Sequence, residues 1–193
     1  MKKIEESELV LNPDGSIYHL KLLPEHIAET IMVVGDQGRV EMVSKYFDRI
    51  EHQIQNREFN THTGYLNGKR LTVMSTGIGT DNIDIAVNEL DALVNIDLAT
   101  REIKETKSNL NIIRLGTSGA LQEDVPVDSL VMSSYGLGLD GLLNFYENIG
   151  IIDETLTDAF IEHSDWASDL SKPYIVKASD HLTKKLGDGM ITG

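Results

Sequence analysis

Three short segments of this chain each end at a glycine that is followed by polar residues. The segments are residues 30–34, 70–76 and 111–115, and the glycines are Gly35, Gly77 and Gly116. Short, mainly apolar runs that stop at glycine are typical of buried strands. Ligands of α/β proteins bind beyond the carboxyl ends of the strands, so three such turns at one edge predict a single pocket.

Helical patterns lie between and after these strands. Helices are predicted over 39–47, 82–94, 153–163 and 179–186. Asn82 is the predicted N-cap of the second helix, and Gly187 is expected to end the last one. A further strand is predicted over 129–133. Strands that alternate with helices predict an α/β fold with a largely parallel central sheet flanked by helices.

A β-hairpin is predicted where Asn67-Gly68 joins the runs 57–66 and 70–76. Asn-Gly favours the type I′ turn, because both central positions of that turn need a positive φ. Antiparallel pairing of this hairpin makes the sheet mixed. The charged segment 97–109 fits either a solvated helix or an excursion from the sheet.

Composition excludes several classes of protein. The 193 residues, 40% of them apolar, are expected to form one domain over residues 1–193. There is neither a run of roughly 20 apolar residues for a membrane span nor an apolar signal-peptide region. The absence of cysteine excludes disulfides and thiolate chemistry and favours a cytoplasmic protein. The formal charge of −14 argues against a nucleic-acid partner, and the six scattered histidines lack zinc-binding spacing.

Arginines accompany two of the glycine turns. Arg39 follows Gly35, and Arg114 precedes Gly116. Each guanidinium can donate two hydrogen bonds to a phosphate, and the Thr117 hydroxyl is a further donor. Glycine lets the backbone approach an anion, and free N–H groups where the next helix begins attract it. Such turns are common in α/β folds, so spacing alone leaves a phosphate pocket and ordinary turns equally open.

Four motifs, taken in order, resemble those of the purine nucleoside and uridine phosphorylase family. Val34-Gly-Asp-Gln-Gly-Arg-Val40 resembles the family's Gly-Asp-Pro-x-Arg phosphate loop, and Arg57-Glu-Phe59 resembles its Arg-Glu-Phe. Residues 75–90, STGIGTDNIDIAVNEL, resemble the Gly-x-Gly signature with its helix. The run Arg114 to Ala120 resembles the family's Arg-x-Gly-Thr-x-Gly strand end. Order and spacing agree from about His19 to Gly141, which implies the family's α/β fold.

The chain also departs from the family pattern. Gln37 replaces the usual proline of the phosphate loop, and Asp81, Asn82 and Asp84 replace the proline, serine and small residue of the signature. These changes leave the substrate subclass open. The family's base-recognition segment and its Met-Glu motif would lie beyond Gly193, where residues 189–193 read as the start of a strand. The chain is therefore expected to be the N-terminal part of a family member, with little activity alone.

The resemblance implies a role for each matching residue. Within one subunit, phosphate would be bound by Gly35, Arg39, Arg114 and Thr117. A neighbouring subunit would supply Arg57 to the phosphate and His19 to the ribose 5′-hydroxyl, and the nucleoside would also lie against Thr117, Ser118 and Gly119. Some relatives hold a monovalent cation between subunits at the positions of Glu58, Ile78 and Asn82. Shared residues imply a homo-oligomer, either a dimer or an assembly of dimers.

The implied reaction is phosphorolysis of a nucleoside. Phosphate, the co-substrate, attacks the anomeric carbon of ribose, giving free base and ribose 1-phosphate; uridine is the favoured substrate and a purine nucleoside the second. Arg39 and Arg114 are the predicted catalytic residues, acting by positioning and by electrostatic stabilisation. No cofactor is expected, although a monovalent cation stays open. A nucleosidase that uses water and a non-catalytic phosphate- or nucleotide-binding fragment are the alternatives.

Overall fold

The computed structural model describes residues 3–147 and 150–190, which fall into two compact units. The first unit extends to Ser118, and the second begins at Gly119. The expectation that residues 1–193 form a single domain stays a prediction. Among the described residues, no helix combines the length and the apolar character that a membrane crossing requires.

A five-stranded mixed sheet forms the centre of the first unit. The elements of this unit are β1 (Thr30–Val34), α1 (Gly38–Ser44), β2 (Arg49–Asn56), β3 (Phe59–Leu66), β4 (Lys69–Ser75), α2 (Thr80–Asn95), β5 (Ile96–Asp97), β6 (Glu102–Ile103) and β7 (Asn111–Arg114), with a 3-10 turn at Pro24–His26. The strand order in the sheet is β2-β3-β4-β1-β7. β1 pairs in parallel with β4 and β7, whereas β3 is antiparallel to β2 and β4. The predicted mixed α/β sheet with flanking helices is confirmed.

The parallel pairing brings three carboxyl ends to one edge of the sheet. Val34 of β1 lies opposite Ser75 of β4, and Val33 lies opposite Arg114 of β7. Since β3 is antiparallel to β4, the two-residue turn between β2 and β3 lies at the same edge. The glycine turns that follow β1, β4 and β7 therefore begin side by side.

Side chains of β1 alternate between two apolar clusters, as the twofold period of a strand requires. Ile31 and Val33 pack into the larger cluster, where α2 contributes Leu90 and Leu93. Val34 packs into the smaller cluster with Val40 of α1 and Val73 of β4. Burial on both faces explains why the sequence of β1 is almost uniformly apolar.

The hairpin between β3 and β4 turns at Asn67 and Gly68. Their φ angles are 50° and 76°, so both central residues have the positive φ that a type I′ turn needs. The predicted hairpin is confirmed.

Other predictions in the first unit need correction. β2 (Arg49–Asn56) was not predicted, and β3 begins at Phe59 rather than at Arg57. The strand is missed because its side chains are exposed or half-buried, so it lacks an apolar pattern. α2 begins at Thr80 after the N-cap Gly79, so Asn82 lies inside the first turn and is not the N-cap. Segment 97–109 is an excursion that contains the short β5–β6 pair.

The second unit contains a two-stranded sheet and two helices among its described residues. Its elements are β8 (Tyr135–Gly138), a 3-10 turn (Leu142–Phe145), α3 (Glu154–Ser164), β9 (Tyr174–Lys177) and α4 (Asp180–Met190). β8 and β9 are antiparallel. The helix predicted over 153–163 is found one residue later, and the Asp153 side chain caps it by accepting a 3.0 Å hydrogen bond from the Leu156 amide.

Two predictions for the second unit are wrong. The predicted strand 129–133 is not formed, and its apolar side chains Leu130 and Val131 are exposed, with no neighbouring strand to cover them among the described residues. Gly187 does not end the last helix, because α4 continues to Met190. A glycine inside a helix costs only about 1 kcal/mol relative to alanine. The strand predicted at 189–193 is replaced by helix at 189 and 190, and 191–193 lie outside the described residues.

Candidate active site

The first two glycine turns lie against each other at the edge of the sheet. A Cβ built on Gly35 would lie 3.7 Å from the Gly77 carbonyl oxygen. Gly77 has a φ of 72°, and a Cβ there would lie 2.5 Å from Asn82 Nδ2 and 2.9 Å from Glu58 Cγ. Both the backbone angle and the lack of space therefore require glycine at position 77.

The two predicted phosphate-binding arginines reach the third glycine turn. Nη2 of half-buried Arg39 lies 3.5 Å from the hydroxyl oxygen of exposed Thr117. The Arg114 guanidinium lies against the backbone of Gly116, where any Cβ would collide with it. Two guanidinium groups and one hydroxyl are thereby brought to the 116–117 turn, a set of donors suited to an oxyanion.

The phosphate-loop backbone is only partly available to an anion. The Gly38 amide donates a 2.8 Å hydrogen bond to Oδ1 of Asp36. Asp36 also places a carboxylate in the loop, which opposes anion binding there. The expectation of free N–H groups where this helix begins is therefore wrong for Gly38, because a side chain already occupies that donor. The arginine side chains remain as the main source of positive charge.

Arg57 lies in the turn between β2 and β3. Its described contacts are with residues other than Arg39 and Arg114. Its φ is 54°, in a region that favours glycine. The Gln37 side-chain amide donates a 2.8 Å hydrogen bond to the Arg57 carbonyl, and accepts one from Gln55 at 2.8 Å. The Arg57 side chain extends towards Tyr18, with its Cζ 5.5 Å from the ring centre. Gln37 therefore joins the phosphate loop to the Arg57 turn through the backbone.

His19 lies in a segment that is bound to α2 and β2. Its Nδ1 is 2.7 Å from Oε1 of Glu89, and its carbonyl accepts a 2.7 Å hydrogen bond from Asn56. The Tyr18 ring packs edge-on against the imidazole at 4.8 Å. The His19 side chain is about one-third exposed (31%), so it is fixed on one side and open on the other.

The three candidate cation ligands lie around one turn. The Ile78 carbonyl accepts a 3.1 Å hydrogen bond from Asn82 Nδ2, and Glu58 lies beside Gly77. An amide nitrogen does not ligate an alkali or alkaline-earth cation. The Asn82 side-chain oxygen, the Ile78 carbonyl and the Glu58 carboxylate are the oxygen groups of this trio. No cluster of three or more His, Asp or Glu side chains suited to a metal occurs in the part of the chain that is described.

Ser118 ends the first unit, and Gly119 begins the second. Both are exposed, and a Cβ on Gly119 would meet open space. Their predicted contact with a nucleoside stays a prediction. The structure thus groups six of the predicted residues into two sets: Gly35, Arg39, Arg114 and Thr117 at the glycine turns, and His19 with Arg57 beside Tyr18.

Sequence reasoning missed the residues that hold these groups in place. Gln37 was noted as a departure from the family pattern, yet it bridges two loops. Glu89 was quoted as the end of a helix motif, yet it binds the His19 segment. Glu89 lies four residues before buried Leu93 and so shares its face of α2. This spacing is the sequence signal that its side chain points inward.

Comparison with known proteins gives consistent matches. The family model described as the phosphorylase superfamily matches residues 29–187. The uridine phosphorylase of Thermococcus kodakarensis is 28% identical over 168 residues, which are 86% of this chain and 56% of that protein. The guanosine phosphorylase of Halorubrum lacusprofundi is 33% identical over 131 residues, 68% of this chain and 48% of that protein.

A solved structure matches over nearly the whole chain. It is the Trypanosoma brucei nucleoside phosphorylase, described as showing uridine phosphorylase activity, with a TM-score of 0.79 and 29% identity. The match covers 93% of this chain and 61% of that one. The chain spans about half the length of the curated relatives it matches.

Proposed function

The chain belongs to the phosphorylase superfamily, and from this premise we propose that it carries the phosphate-binding part of a nucleoside phosphorylase. The reaction is phosphorolysis of a nucleoside to free base and ribose 1-phosphate. The observation that supports this most directly is the 3.5 Å separation between Arg39 Nη2 and Thr117 Oγ1. The two groups follow the ends of β1 and β7, and they meet at the turn where the Arg114 guanidinium also lies.

The proposed role of this set is to hold phosphate in line with the anomeric carbon. Arg39 and Arg114 bind its oxygens, and Thr117 donates or accepts one further hydrogen bond. Fixed cations near the nucleophile lower its repulsion from a departing, electron-rich base, and positioning removes much of the entropy cost of a two-substrate reaction. Gly35 and Gly116 keep side chains out of the space that the anion needs.

A neighbouring subunit completes the site in this proposal. The contacts of Arg57 and His19 are with Tyr18, Asn56, Glu89 and Gln37. None of the described contacts joins their side chains to Arg39, Arg114 or Thr117 of the same chain. This arrangement suits residues that serve another subunit's phosphate and ribose, so we propose a homo-oligomer, either a dimer or an assembly of dimers.

We favour uridine as substrate, with a purine nucleoside second. Uridine phosphorylases stand among the relatives, and a guanosine phosphorylase matches at similar identity. Ser118 and Gly119 are the proposed nucleoside contacts of this chain. A monovalent cation near Glu58, Ile78 and Asn82 stays open, and a cytoplasmic location stays a prediction.

The test is a product assay on the purified protein with uridine or inosine, with and without inorganic phosphate. We expect release of base by this chain to be slow, to depend on phosphate and to yield an equal amount of ribose 1-phosphate. Release of free ribose without phosphate would instead indicate a nucleosidase. Phosphate binding without release of base from either nucleoside would indicate the non-catalytic binding module.

A further inference from the structure

Glu89 of α2 binds the backbone and the side chain of His19 with the same carboxylate. The His19 amide lies 3.0 Å from Oε1 and 3.1 Å from Oε2. The Leu20 amide donates to Oε2 at 2.8 Å, and His19 Nδ1 lies 2.7 Å from Oε1. Three N–H groups thus converge on a side chain that is 13% exposed. This set of donors suits an ionised carboxylate.

The carboxylate determines which imidazole nitrogen carries the proton. An ionised carboxylate accepts hydrogen bonds and cannot donate them, so Nδ1 of His19 must be protonated to make the 2.7 Å contact. In the neutral ring Nε2 is then the unprotonated nitrogen. Among the described residues, none hydrogen-bonds to Nε2. That nitrogen is available as an acceptor for a hydroxyl group.

We propose that Glu89 is a positioning residue that holds His19 in the Nδ1–H tautomer, with Nε2 free to accept a ligand hydroxyl. The inference rests on the proposed function, in which His19 meets the 5′-hydroxyl of a nucleoside held by a neighbouring subunit. Glu89 reaches the nucleoside only through His19. The same carboxylate fixes the orientation of the imidazole ring, because it also accepts hydrogen bonds from the backbone amides of His19 and Leu20.

The segment has a second anchor that supplies a matched control. Asn56 Nδ2 donates a 2.7 Å hydrogen bond to the His19 carbonyl. Loss of this contact loosens the segment but leaves the Nδ1–H to Glu89 hydrogen bond in place. A role of Glu89 that is merely structural predicts that E89Q and N56A have the same effect on the imidazole. The positioning role predicts different effects.

The experiment is ¹⁵N NMR of the histidine rings at a pH where they are neutral. Wild type and N56A are expected to show His19 protonated at Nδ1. In E89Q the amide oxygen goes to the two backbone N–H groups, so the NH₂ faces Nδ1, and the ring changes to the Nε2–H tautomer. Unchanged signals of buried His62, whose Nδ1 is 2.8 Å from Ser44 Oγ, show that the variants are folded.

An Nε2–H tautomer in wild type, or an unchanged Nδ1–H tautomer in folded E89Q, would overturn the proposal. If E89Q does not fold, the wild-type tautomer decides alone. A second arm titrates uridine and 5′-deoxyuridine in phosphate buffer. Wild type should prefer uridine about tenfold, and E89Q should lose that preference. If neither nucleoside binds wild type, the proposed function fails. The tautomer measured by NMR still tests the positioning role of Glu89 in that case.

Discussion

Nη2 of Arg39 lies 3.5 Å from Oγ1 of Thr117, although 78 residues separate them in the sequence. The contact follows from the parallel register of β1 and β7, in which Val33 lies opposite Arg114. Each residue then lies a few positions beyond the end of its own strand. Sheet topology, rather than a local motif, brings the two donors together.

Substitution of Thr117 by valine tests this contact. Valine keeps the shape and removes the hydroxyl, so phosphate affinity should fall about 5- to 10-fold, as expected for the loss of one hydrogen bond. Phosphate titrations of T117V and of wild type measure the change. The matched control is T100V, at an exposed threonine in the β5–β6 turn, which should bind phosphate like wild type. Equal affinity in T117V would show that the hydroxyl does not contact the anion.

Replacement of Gln37 by alanine should loosen the Arg57 turn. The variant loses the 2.8 Å hydrogen bond that holds the Arg57 carbonyl, while Arg57 must still adopt its positive φ of 54°. Hydrogen exchange should therefore become several-fold faster over residues 56–59. The Asn67–Gly68 turn at the other end of β3 should exchange at the wild-type rate. Unchanged exchange at 56–59 would mean that Gln37 does not restrain this turn.

The hairpin at Asn67–Gly68 should depend on the backbone of Gly68. Its φ is 76° and a Cβ would meet nothing within 4 Å, so alanine costs free energy through its backbone angle alone. We expect G68A to lower the free energy of unfolding by about 1–2 kcal/mol in urea titrations. Gly136 also has open space but no positive φ, so G136A should have little effect. Equal stability of the two variants would contradict this account.

Stability should fall as the pH is lowered from about 7 to about 5 because of His62. Burial lowers the pKa of His62 below its ordinary value of 6.5. Protons therefore bind the unfolded state first, and the folded state loses stability as the pH falls below 6.5 towards the lowered pKa. Above pH 6.5 the contribution of His62 to the free energy of unfolding is fully present. Urea unfolding of wild type across this range measures the slope.

The H62Q variant should show a smaller slope over the same pH range. Some slope should remain, because burial, together with the charge of His52, also lowers the pKa of His26. Exposed His163 gives the control, and H163Q should keep the wild-type slope. A slope in H62Q as steep as that of wild type would assign the pH dependence to other groups.

The sequence predicted the features that have strong local causes. Two positive φ angles explain why Asn67-Gly68 is a reliable turn signal. Burial on both faces explains why residues 30–34 could be recognised as a strand. The glycine turns after β1, β4 and β7 could be placed at one edge because parallel strands present their carboxyl ends together.

Features that depend on tertiary contacts could not be predicted in this way. β2 has exposed and half-buried side chains, so its place in the sheet comes from pairing with β3. The helical face that Glu89 shares with Leu93 indicates that it points inward but not what it binds, since its partners lie about 70 residues earlier in the chain. The sequence predicted Asn82 as the cap, but the N-cap is Gly79, with a φ of 103°, and the helix begins at Thr80.

The central claim is that Arg39 and Arg114 bind phosphate at the 116–117 turn, and titration calorimetry with inorganic phosphate tests it most directly. Hydrogen bonds to charged groups contribute about 1.5–3 kcal/mol, so R39Q and R114Q should each weaken binding by about 10- to 150-fold. R49Q removes the same charge from an exposed arginine of β2 and should bind phosphate like wild type. Wild-type affinity in R39Q and R114Q, or equal losses in all three variants, would contradict the claim.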